Sequence, residues 1–304
     1  ADAIKLQTYT ADTMTLPSQD ERFQVGEGSL WEGKSLYELY QEAYTPWEWQ
    51  PKLQETARTK RIDFFSAPFD TTAVDFLEEM EIPAYKVPSF EIVDLPLIER
   101  IASTGKPLIF STGLASQNEI AEALQTAEKA GAEQVALLKC TSAYPAPPEE
   151  MNLRGIPQLI EEYGVPVGLS DHSLGSEAPI AAVSLGACIV EKHFTLSREV
   201  PGPDAAFSME PEEFHAMVSS VRRTERALGD GDYEIGPEEA KSRVFRRSLF
   251  VVQDVKAGEM FTTANVRSIR PGDGLHPRHL KELLGRKAAV DVVRGTPMAW
   301  DLVV

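Results

Sequence analysis

Two histidines occupy positions at which metal chemistry could take place. His172 and His193 each end a short apolar run that predicts a β-strand, and we place the two runs side by side in the fold. Neighbouring strands lie about 4.8 Å apart, so two imidazoles at their ends could bind one divalent cation. The separation of 21 residues matches no local metal motif, and spacing alone favours two hydrogen-bonded polar histidines. Two imidazoles with water would leave coordination positions open, which suits a cation acting as a Lewis acid.

Lysines end three of the predicted strands. Lys5, Lys86 and Lys139 follow apolar residues, and an ammonium group in an apolar setting is costly unless it meets an anion. One interpretation is a clamp for a phosphate or carboxylate, and the other is the single Schiff-base lysine of a class I aldolase. Several lysines favour the clamp, although Lys139 alternates with Cys140 and could face outward. Hydroxyl groups at strand ends would complete such a clamp: Ser89, Ser111 and Ser170.

Turns and aromatic residues add further candidates. Arg270 lies in an Arg-Pro-Gly-Asp-Gly turn and could clamp a carboxylate if that turn reached the strand ends. Asp204 lies in a stiff Pro-Gly-Pro-Asp loop after the last predicted strand. Both segments are also typical of ordinary surface turns. The aromatic residues between positions 31 and 49 mostly indicate packing, and they could also form a wall for a sugar.

The elements that carry these side chains alternate along the chain. Seven apolar runs predict strands, at residues 3–8, 62–67, 84–89, 107–112, 135–141, 165–170 and 187–193. Segments of helical period lie between and after them, at residues 47–59, 71–80, 117–130, 151–162, 178–185 and 210–228. Ser116 and Glu119 form a capping box for one of these helices. Continuously apolar strands that alternate with helices predict a parallel sheet covered on both faces.

An α/β barrel is the architecture that these elements favour. A (β/α)8 TIM barrel needs eight strands, and the chain supplies seven. The first residues, ADAIKLQTYT, lack Met and already resemble a strand, so we expect the first βα unit to lie upstream. An open doubly wound sheet is the alternative, but no glycine-rich phosphate loop follows any strand. Barrel enzymes build their sites from the carboxyl ends of many strands, and each predicted strand ends in polar side chains.

Composition narrows the classes of function. The 304 residues include 47 Asp and Glu against 30 Lys and Arg, a net charge of −17 that repels nucleic acid and anionic lipid. No apolar run reaches the roughly 20 residues of a membrane helix. Cys140 and Cys188 lie in apolar runs and predict buried free thiols in a cytoplasmic protein. We therefore expect an enzyme for a small substrate, with no nucleic-acid or membrane partner.

The pattern of predicted elements divides the chain into two domains. Residues 1–228 carry the strand–helix alternation, and residues 229–243 are a Gly-, Asp- and Pro-rich linker. Residues 244–304 contain short β runs and turns without a long helix. A β-rich module of this size has little core of its own. Docking onto a barrel or a partner subunit would therefore stabilise it.

Six motifs together resemble those of the nonulosonic (sialic-type) acid synthases. They are ADAIKLQT at the start, AYK-x-x-S-x-E at 84–91, STG at 111–113, GLSDH at 168–172, EKHFTL at 191–196 and PGPD at 201–204. The tail, with KAGE and IRPGDGL, resembles the SAF (antifreeze-like, β-clip) domain that ends those enzymes. The resemblance covers essentially the whole chain. It implies the condensation of phosphoenolpyruvate with an N-acetylated amino sugar.

The resemblance also implies a role for each candidate residue. Phosphoenolpyruvate would be bound by Lys5, Lys86, Ser89, Ser111 and Ser170. The sugar would be met by Gln7, Glu91, Ser142, Tyr144 and Asp204. His172 and His193 would hold Mn²⁺ or Mg²⁺, and Glu91 would be a catalytic carboxylate beside another on the absent first strand. Arg270 would come from the SAF domain of a second subunit, which implies a domain-swapped homodimer.

Departures from the family pattern favour one branch. Ala67 stands where the family has a phosphate-binding threonine, and Trp31 and Ser142 stand where neuraminate synthases have asparagines. Stretches such as 31–50 and 137–153 resemble the pseudaminic branch, which implies 2,4-diacetamido-2,4,6-trideoxy-L-altrose as the sugar. The alternatives are a neuraminate or legionaminate synthase, a Schiff-base aldolase using Lys86, and a binding module on an inactive barrel.

Overall fold

The computed structural model describes residues 1–26, 28 and 30–304. This part of the chain forms two compact units, Ala1–Gly229 and Asp230–Val304. The residues on either side of the division are exposed. The predicted linker at residues 229–243 spans this junction.

One parallel sheet forms the centre of the first unit. Its strands are β1 (Ala3–Thr8), β2 (Asp63–Pro68), β3 (Tyr85–Val87), β4 (Leu108–Ser111), β5 (Val135–Cys140), β6 (Val167–Asp171) and β7 (Val190–Lys192). They pair in sequential order from β1 to β7. A doubly wound sheet reverses its strand order at a switch point, and this sheet has no reversal.

The sheet is curled rather than flat. Lys5 on β1 and Glu191 on β7 form an ion pair, with Nζ and Oε1 2.8 Å apart. In a flat sheet, the outermost of seven strands would lie roughly 29 Å apart, far beyond the reach of two side chains. The strands therefore follow the wall of a barrel, and side chains from opposite ends of the sheet meet inside the curl.

Helices cover the sheet. They are α1 (Ala11–Met14), α2 (Leu36–Ala43), α3 (Gln50–Lys60), α4 (Thr71–Glu79), α5 (Leu95–Ala102), α6 (Gln117–Lys129), α7 (Gly155–Tyr163), α8 (Glu177–Ser184) and α9 (Pro211–Leu228). Their apolar faces pack on the strands, and Leu77, Ile98 and Ala123 are fully buried. None of the helices in the described part of the chain is long and apolar enough to cross a bilayer.

Local capping signals account for where several helices begin. The predicted capping box is confirmed, because Ser116 N donates to Glu119 Oε2 at 2.7 Å and Glu119 N donates to Ser116 Oγ at 3.3 Å. Helices α2 and α5 were not predicted. Each has eight residues, and Asp94 caps the N-terminus of α5 because its Oδ1 accepts from Leu97 N at 3.1 Å.

The two cysteines are both free, but only one is buried. Cys140 at the end of β5 is buried, as predicted, whereas Cys188 is exposed. The prediction was wrong for Cys188, which precedes β7 and is exposed although its backbone N donates to Val167 O of β6 at 2.9 Å. The thiol therefore lies in the turn between α8 and β7.

The second unit has a small core of its own. Strands β8 (Ser248–Val251) and β9 (Val266–Ile269) pair antiparallel, and the short helices are α10 (Pro237–Lys241) and α11 (Leu280–Leu283). Leu249, Phe261 and Leu283 are fully buried in its apolar cluster. The predicted linker is therefore partly helical, since α10 lies within it.

Candidate active site inside the curled sheet

A cavity of about 690 Å³ opens at the carboxyl ends of the strands of the first unit. This volume suits a small substrate. The predicted site residues that line it are Lys5, Gln7, Lys86, Ser89, Glu91, Ser111, Tyr144, Ser170, His172, His193 and Asp204. Ser142 is set back from the cavity, with its Oγ 3.9 Å from Cys140 Sγ. Arg270 is exposed directly after β9 in the second unit.

Three strands bring two lysines to one carboxylate in the cavity wall. Glu191 Oε1 lies 2.8 Å from Lys5 Nζ and 3.8 Å from Lys86 Nζ, and it accepts from Ser170 Oγ at 3.2 Å. Lys86 is buried and also donates to Ser111 Oγ at 2.6 Å. One carboxylate faces two ammonium groups, so the three side chains together carry a net positive charge. They form the local basic pocket that an anion needs in a chain of net charge −17.

Burial and charge set the protonation of this cluster. Burial lowers the pKa of Lys86 to about 8, although the Glu191 carboxylate opposes that shift. Burial also disfavours the ionised form of Glu191, but Lys5 and Lys86 outweigh it and hold the pKa of Glu191 below its ordinary range. Glu191 is therefore a carboxylate near neutral pH.

The glycine of the STG motif allows a close approach that fixes Ser89. Gly113 N donates to Ser89 Oγ at 3.2 Å, and Ser89 Oγ donates to Cys140 Sγ at 3.3 Å. A Cβ atom at position 113 would overlap Ser142 Oγ and lie 2.7 Å from Ser89 Oγ. Any larger residue would therefore push Ser89 from its place in the cavity wall.

Glu91 is a carboxyl group with few partners. It lies in the 3₁₀ turn Phe90–Val93 after β3, and its side chain lines the cavity. Its Oε2 is buried and accepts no hydrogen bond from any described residue. Burial raises the pKa of Glu91 to about 7, despite the opposing effects of a backbone hydrogen bond and of Lys86. Such a group can give or take a proton near neutral pH.

The two histidines lie together, each oriented by an oxygen. Their ring centres are 5.3 Å apart. His172 Nδ1 lies 2.9 Å from the carbonyl oxygen of Thr141, which only accepts, so this nitrogen carries the proton. His193 Nδ1 lies 3.3 Å from Asp204 Oδ2. On both rings Nε2 is therefore the nitrogen that can bind a ligand. Metal sites use the same arrangement when the other ring nitrogen of each histidine is hydrogen-bonded to an oxygen.

The donor set fits a cation that keeps open positions. Among the described residues, no group of three or more His, Cys, Asp or Glu side chains is arranged to hold a metal ion. A closed structural site is therefore not formed by this part of the chain. Two imidazoles facing a cavity are a donor set that Mn²⁺ or Mg²⁺ could complete with water and substrate oxygen.

Aromatic rings line the cavity beside the histidines. The Tyr144 ring centre lies 4.5 Å from that of His172, 5.1 Å from that of Phe207 and 6.0 Å from that of Trp31. Trp31 Nε1 donates to Pro203 O at 2.8 Å, which ties the ring to the loop that carries Asp204. Burial raises the pKa of Tyr144, so its phenol is neutral. Trp31 and Tyr144 thus form an apolar part of the cavity wall next to the two imidazoles, and the buried Phe207 packs against Tyr144.

Sequence reasoning gave no role to Glu191, although its position carried a signal. Residues two apart on a strand share a face, so Glu191 must lie on the same side as His193. Lys139 shows the reverse case: it alternates with Cys140, donates to Cys140 O at 3.1 Å and does not line the cavity.

The family profiles decide to which class of proteins this arrangement belongs. The NeuB family matches residues 1–233, and the SAF domain matches residues 246–304. This chain belongs to the NeuB family. Its seven curled parallel strands and its C-terminal SAF domain confirm the predicted fold class.

Relatives of this NeuB family chain differ in how similar they are to it. The pseudaminic acid synthase of Campylobacter jejuni subsp. jejuni serotype O:2 is 47% identical over 97% of this chain and 86% of its own length. The N,N′-diacetyllegionaminic acid synthase of Legionella pneumophila is 34% identical over 99% of this chain and 86% of its own length. The chain is thus more similar to the pseudaminic acid synthase.

A solved structure supports the NeuB fold. The crystal structure of N-acetylneuraminic acid synthetase from Leptospira borgpetersenii in complex with citrate has a TM-score of 0.69 and 35% identity. The match covers 80% of this chain and 79% of that chain.

Proposed function

We propose that this protein condenses phosphoenolpyruvate with 2,4-diacetamido-2,4,6-trideoxy-L-altrose and water to give pseudaminic acid and phosphate. The chain is an enzyme of the pseudaminic acid synthase kind, at 47% identity to the Campylobacter jejuni enzyme. The proposal rests on the observation that three kinds of functional group line the same cavity. It holds a cationic lysine cluster, two oxygen-oriented histidines and a carboxyl group whose pKa is about 7.

The lysine cluster would bind the anionic groups of phosphoenolpyruvate. Lys5 and Lys86 are held by Glu191 in this structure, and an incoming phosphate or carboxylate would take over part of that role. Hydroxyl groups in the same wall would complete the clamp: Ser89, Ser111 and Ser170. Ala67 is fully buried and offers no hydroxyl, so the contact that the threonine of the family pattern would make has no counterpart at this position. Binding in this way fixes C3 of phosphoenolpyruvate against the aldehyde.

The histidines would serve the aldehyde end of the sugar. A divalent cation held by His172 and His193 would supply Lewis acidity at the aldehyde oxygen. The chain's own part is to keep both Nε2 atoms free, through Thr141 O on one ring and Asp204 on the other. Asp204 would thereby act on His193 as well as lie near the sugar.

The bond changes follow from this placement. C3 of phosphoenolpyruvate forms a bond to C1 of the aldehyde, and positive charge develops at C2. Water adds at C2 and gives up a proton, and the former aldehyde oxygen takes one up to become a hydroxyl. The C2–O bond then breaks, so that phosphate leaves with the bridging oxygen and the second water proton, and C2 becomes a carbonyl. Glu91, as a carboxylate in the same cavity, would stabilise the charge and accept the proton. The products are the nine-carbon keto acid and inorganic phosphate.

The aromatic wall supports the choice of a deoxy sugar. Trp31 and Tyr144 present ring surface beside the histidines, and the buried Phe207 packs against Tyr144. Burying a sugar methyl group against such a surface contributes about 1 kcal/mol. A hydroxyl group at the same place would lose its hydrogen bonds to water. We therefore expect the 6-deoxy sugar to be preferred over N-acetylmannosamine.

Arg270 would complete the site from a second subunit. It is exposed on the second unit, and its guanidinium could clamp a carboxylate or phosphate bidentately. The proposal therefore includes a homodimer in which the SAF domain of each subunit contributes Arg270 to the barrel of the other. It also includes a cytoplasmic location.

Isotope labelling tests the reaction type. Phosphoenolpyruvate with ¹⁸O in the bridging position should release phosphate that carries the label, because the C2–O bond breaks. Unlabelled phosphate would mean cleavage of the P–O bond and would contradict the proposal. Borohydride added with substrate should leave Lys86 unmodified, whereas a reduced adduct there would indicate the Schiff-base aldolase instead.

A further inference from the structure

A fully buried ion pair lies behind the two histidines. Asp171 ends β6 and Lys192 ends β7, and their side chains are 0% and 1% exposed. Lys192 Nζ lies 2.5 Å from Asp171 Oδ2. Because neighbouring residues on a strand point to opposite faces, this pair projects away from the cavity that His172 and His193 line.

The histidines lie just beyond the end of the β-ladder. The last paired residues of β6 and β7 are Asp171 and Lys192. His172 and His193 each follow by one residue, where the ladder no longer holds the two chain segments together. Their own carbonyls bind elsewhere, to Ala146 N at 3.0 Å and to Met209 N at 2.9 Å. Something other than the ladder must therefore set the distance between the two rings.

Lys192 forms hydrogen bonds to the residues on both sides of His172. Its ammonium group binds the Asp171 carboxylate, one residue before His172, and the carbonyl oxygen of Ser173, one residue after it. Asp171 Oδ1 in turn accepts from Ser173 N at 2.9 Å and from Ser173 Oγ at 2.7 Å. One ammonium group on the segment of His193 thus holds the short segment that carries His172.

We propose that the network of Lys192, Asp171 and Ser173 positions the two imidazoles and so sets the affinity of the site for its divalent cation. This inference rests on the metal role of the histidines in the proposed function. Lys192 and Asp171 are positioning residues, since neither lines the cavity among the described residues. Losing the network would let the two segments move apart while leaving both imidazoles chemically intact.

Cation binding to the purified apo-protein tests the inference without any turnover. Free Mn²⁺ gives a sharp electron paramagnetic resonance signal that disappears on binding, so its titration yields a dissociation constant. Lys192→Met keeps an unbranched side chain and removes the ammonium group. We expect its dissociation constant for Mn²⁺ to rise about tenfold or more. Asp171→Asn keeps the shape of the side chain and should shift the constant in the same direction, and it serves if Lys192→Met does not fold.

Leu169→Ala is the matched control. Leu169 lies on β6, is 1% exposed and points to the same face as Asp171, but it makes no hydrogen bond to the network through its side chain. It should melt at a lower temperature and still bind Mn²⁺ with the parent constant. Equal weakening of Mn²⁺ binding in Leu169→Ala and Lys192→Met would overturn the inference, because general loosening would then explain both.

Two further outcomes separate the inference from the function on which it rests. If Lys192→Met and Asp171→Asn both fold and bind Mn²⁺ like the parent, the pair is only structural and the proposal is wrong, while the proposed function stands. If His172→Ala also binds Mn²⁺ like the parent, the metal site of the proposed function is itself wrong.

Discussion

Two groups of charged side chains meet at strand β7 and differ in how completely they are paired. On the cavity side, Glu191 serves both Lys5 and Lys86, so positive charge is in excess. On the opposite face, one residue along, Lys192 meets Asp171 and a carbonyl oxygen, so charge is balanced. Glu191 and Lys192 are thus adjacent in the chain, but one belongs to a group with excess positive charge and the other to a neutral pair.

The difference shows how a fold separates a binding site from its support. A cationic excess in a cavity is satisfied only when an anion arrives, so it favours ligand binding. A balanced, hydrogen-bonded pair has no capacity left for a ligand, and breaking it leaves a buried charge without a partner. We therefore expect substitutions on the cavity side to change catalysis and substitutions on the opposite face to change stability and geometry.

The largest effect on the cavity side should come from the histidines. His172→Ala should reduce turnover roughly 10³-fold or more, because several kcal/mol of stabilisation at the aldehyde oxygen would be lost. Its far-ultraviolet circular dichroism should match the parent, since the buried pair behind it is intact. Phosphate release with and without a chelator gives the measurement. Full activity of chelator-treated parent enzyme would contradict this expectation.

The second largest effect should be a loss of activity that mixing two variant subunits partly restores. Lys86→Ala and Arg270→Ala should each lower kcat/KM for phosphoenolpyruvate about 10²-fold or more, because a charged partner of the substrate is removed. In a domain-swapped dimer, mixing the two proteins creates one intact composite site per mixed dimer. Activity should then recover to about a quarter of the parent value after random exchange. No recovery, with exchange shown by mass spectrometry, would mean that each tail serves its own barrel.

Stability should separate the two charge groups directly. Lys192→Met should lower the free energy of unfolding by about 3–5 kcal/mol, because Asp171 would be left buried and unpaired. Lys86→Met should change it much less, since Glu191 keeps Lys5 and a desolvated ammonium group is removed. Urea denaturation of both variants measures this contrast. Equal losses would show that the cavity cluster is as structural as the pair behind it.

The smallest expected effect is a pH dependence from Glu91. With a pKa of about 7, its ionised fraction rises from about a tenth at pH 6 to about nine tenths at pH 8. If Glu91 acts as a carboxylate, kcat/KM should rise about tenfold over this interval, and Glu91→Gln should remove the rise. Folding raises this pKa from 4.5 to about 7, so the contribution of Glu91 to stability falls as the pH rises from 4.5 to about 7 and then stays constant. An unchanged profile in Glu91→Gln would assign the rise to another group.

Much of the barrel could be predicted because its signals are local. Strand β1 was predicted at its observed bounds, and α9 to within one residue, since apolar runs and helical period are properties of adjacent residues. Helices α2 and α5 escaped prediction, whereas α8, which also has eight residues, did not. The strand predicted at 84–89 runs past β3 into the loop that carries Ser89, and the strand predicted at 187–193 begins three residues before β7.

The candidate site was predictable residue by residue but not in its connections. Residue type and strand position were enough to select Lys86 and His193. The sharing of Glu191 between two lysines depends on how β1, β3 and β7 meet, and the contacts of Lys192 on both sides of His172 depend on how β6 and β7 align. Those contacts come from the curl and the register of the sheet, which no local pattern contains.

Sugar choice tests the central claim most directly. The purified enzyme, with phosphoenolpyruvate and Mn²⁺, should be compared on 2,4-diacetamido-2,4,6-trideoxy-L-altrose, its legionaminate-type isomer and N-acetylmannosamine, with phosphate release as the readout. We expect kcat/KM for the altrose to exceed that for N-acetylmannosamine at least about tenfold, since a site with apolar surface favours the methyl group over a hydroxyl. Comparable values for these two sugars would contradict the assignment to the pseudaminic branch.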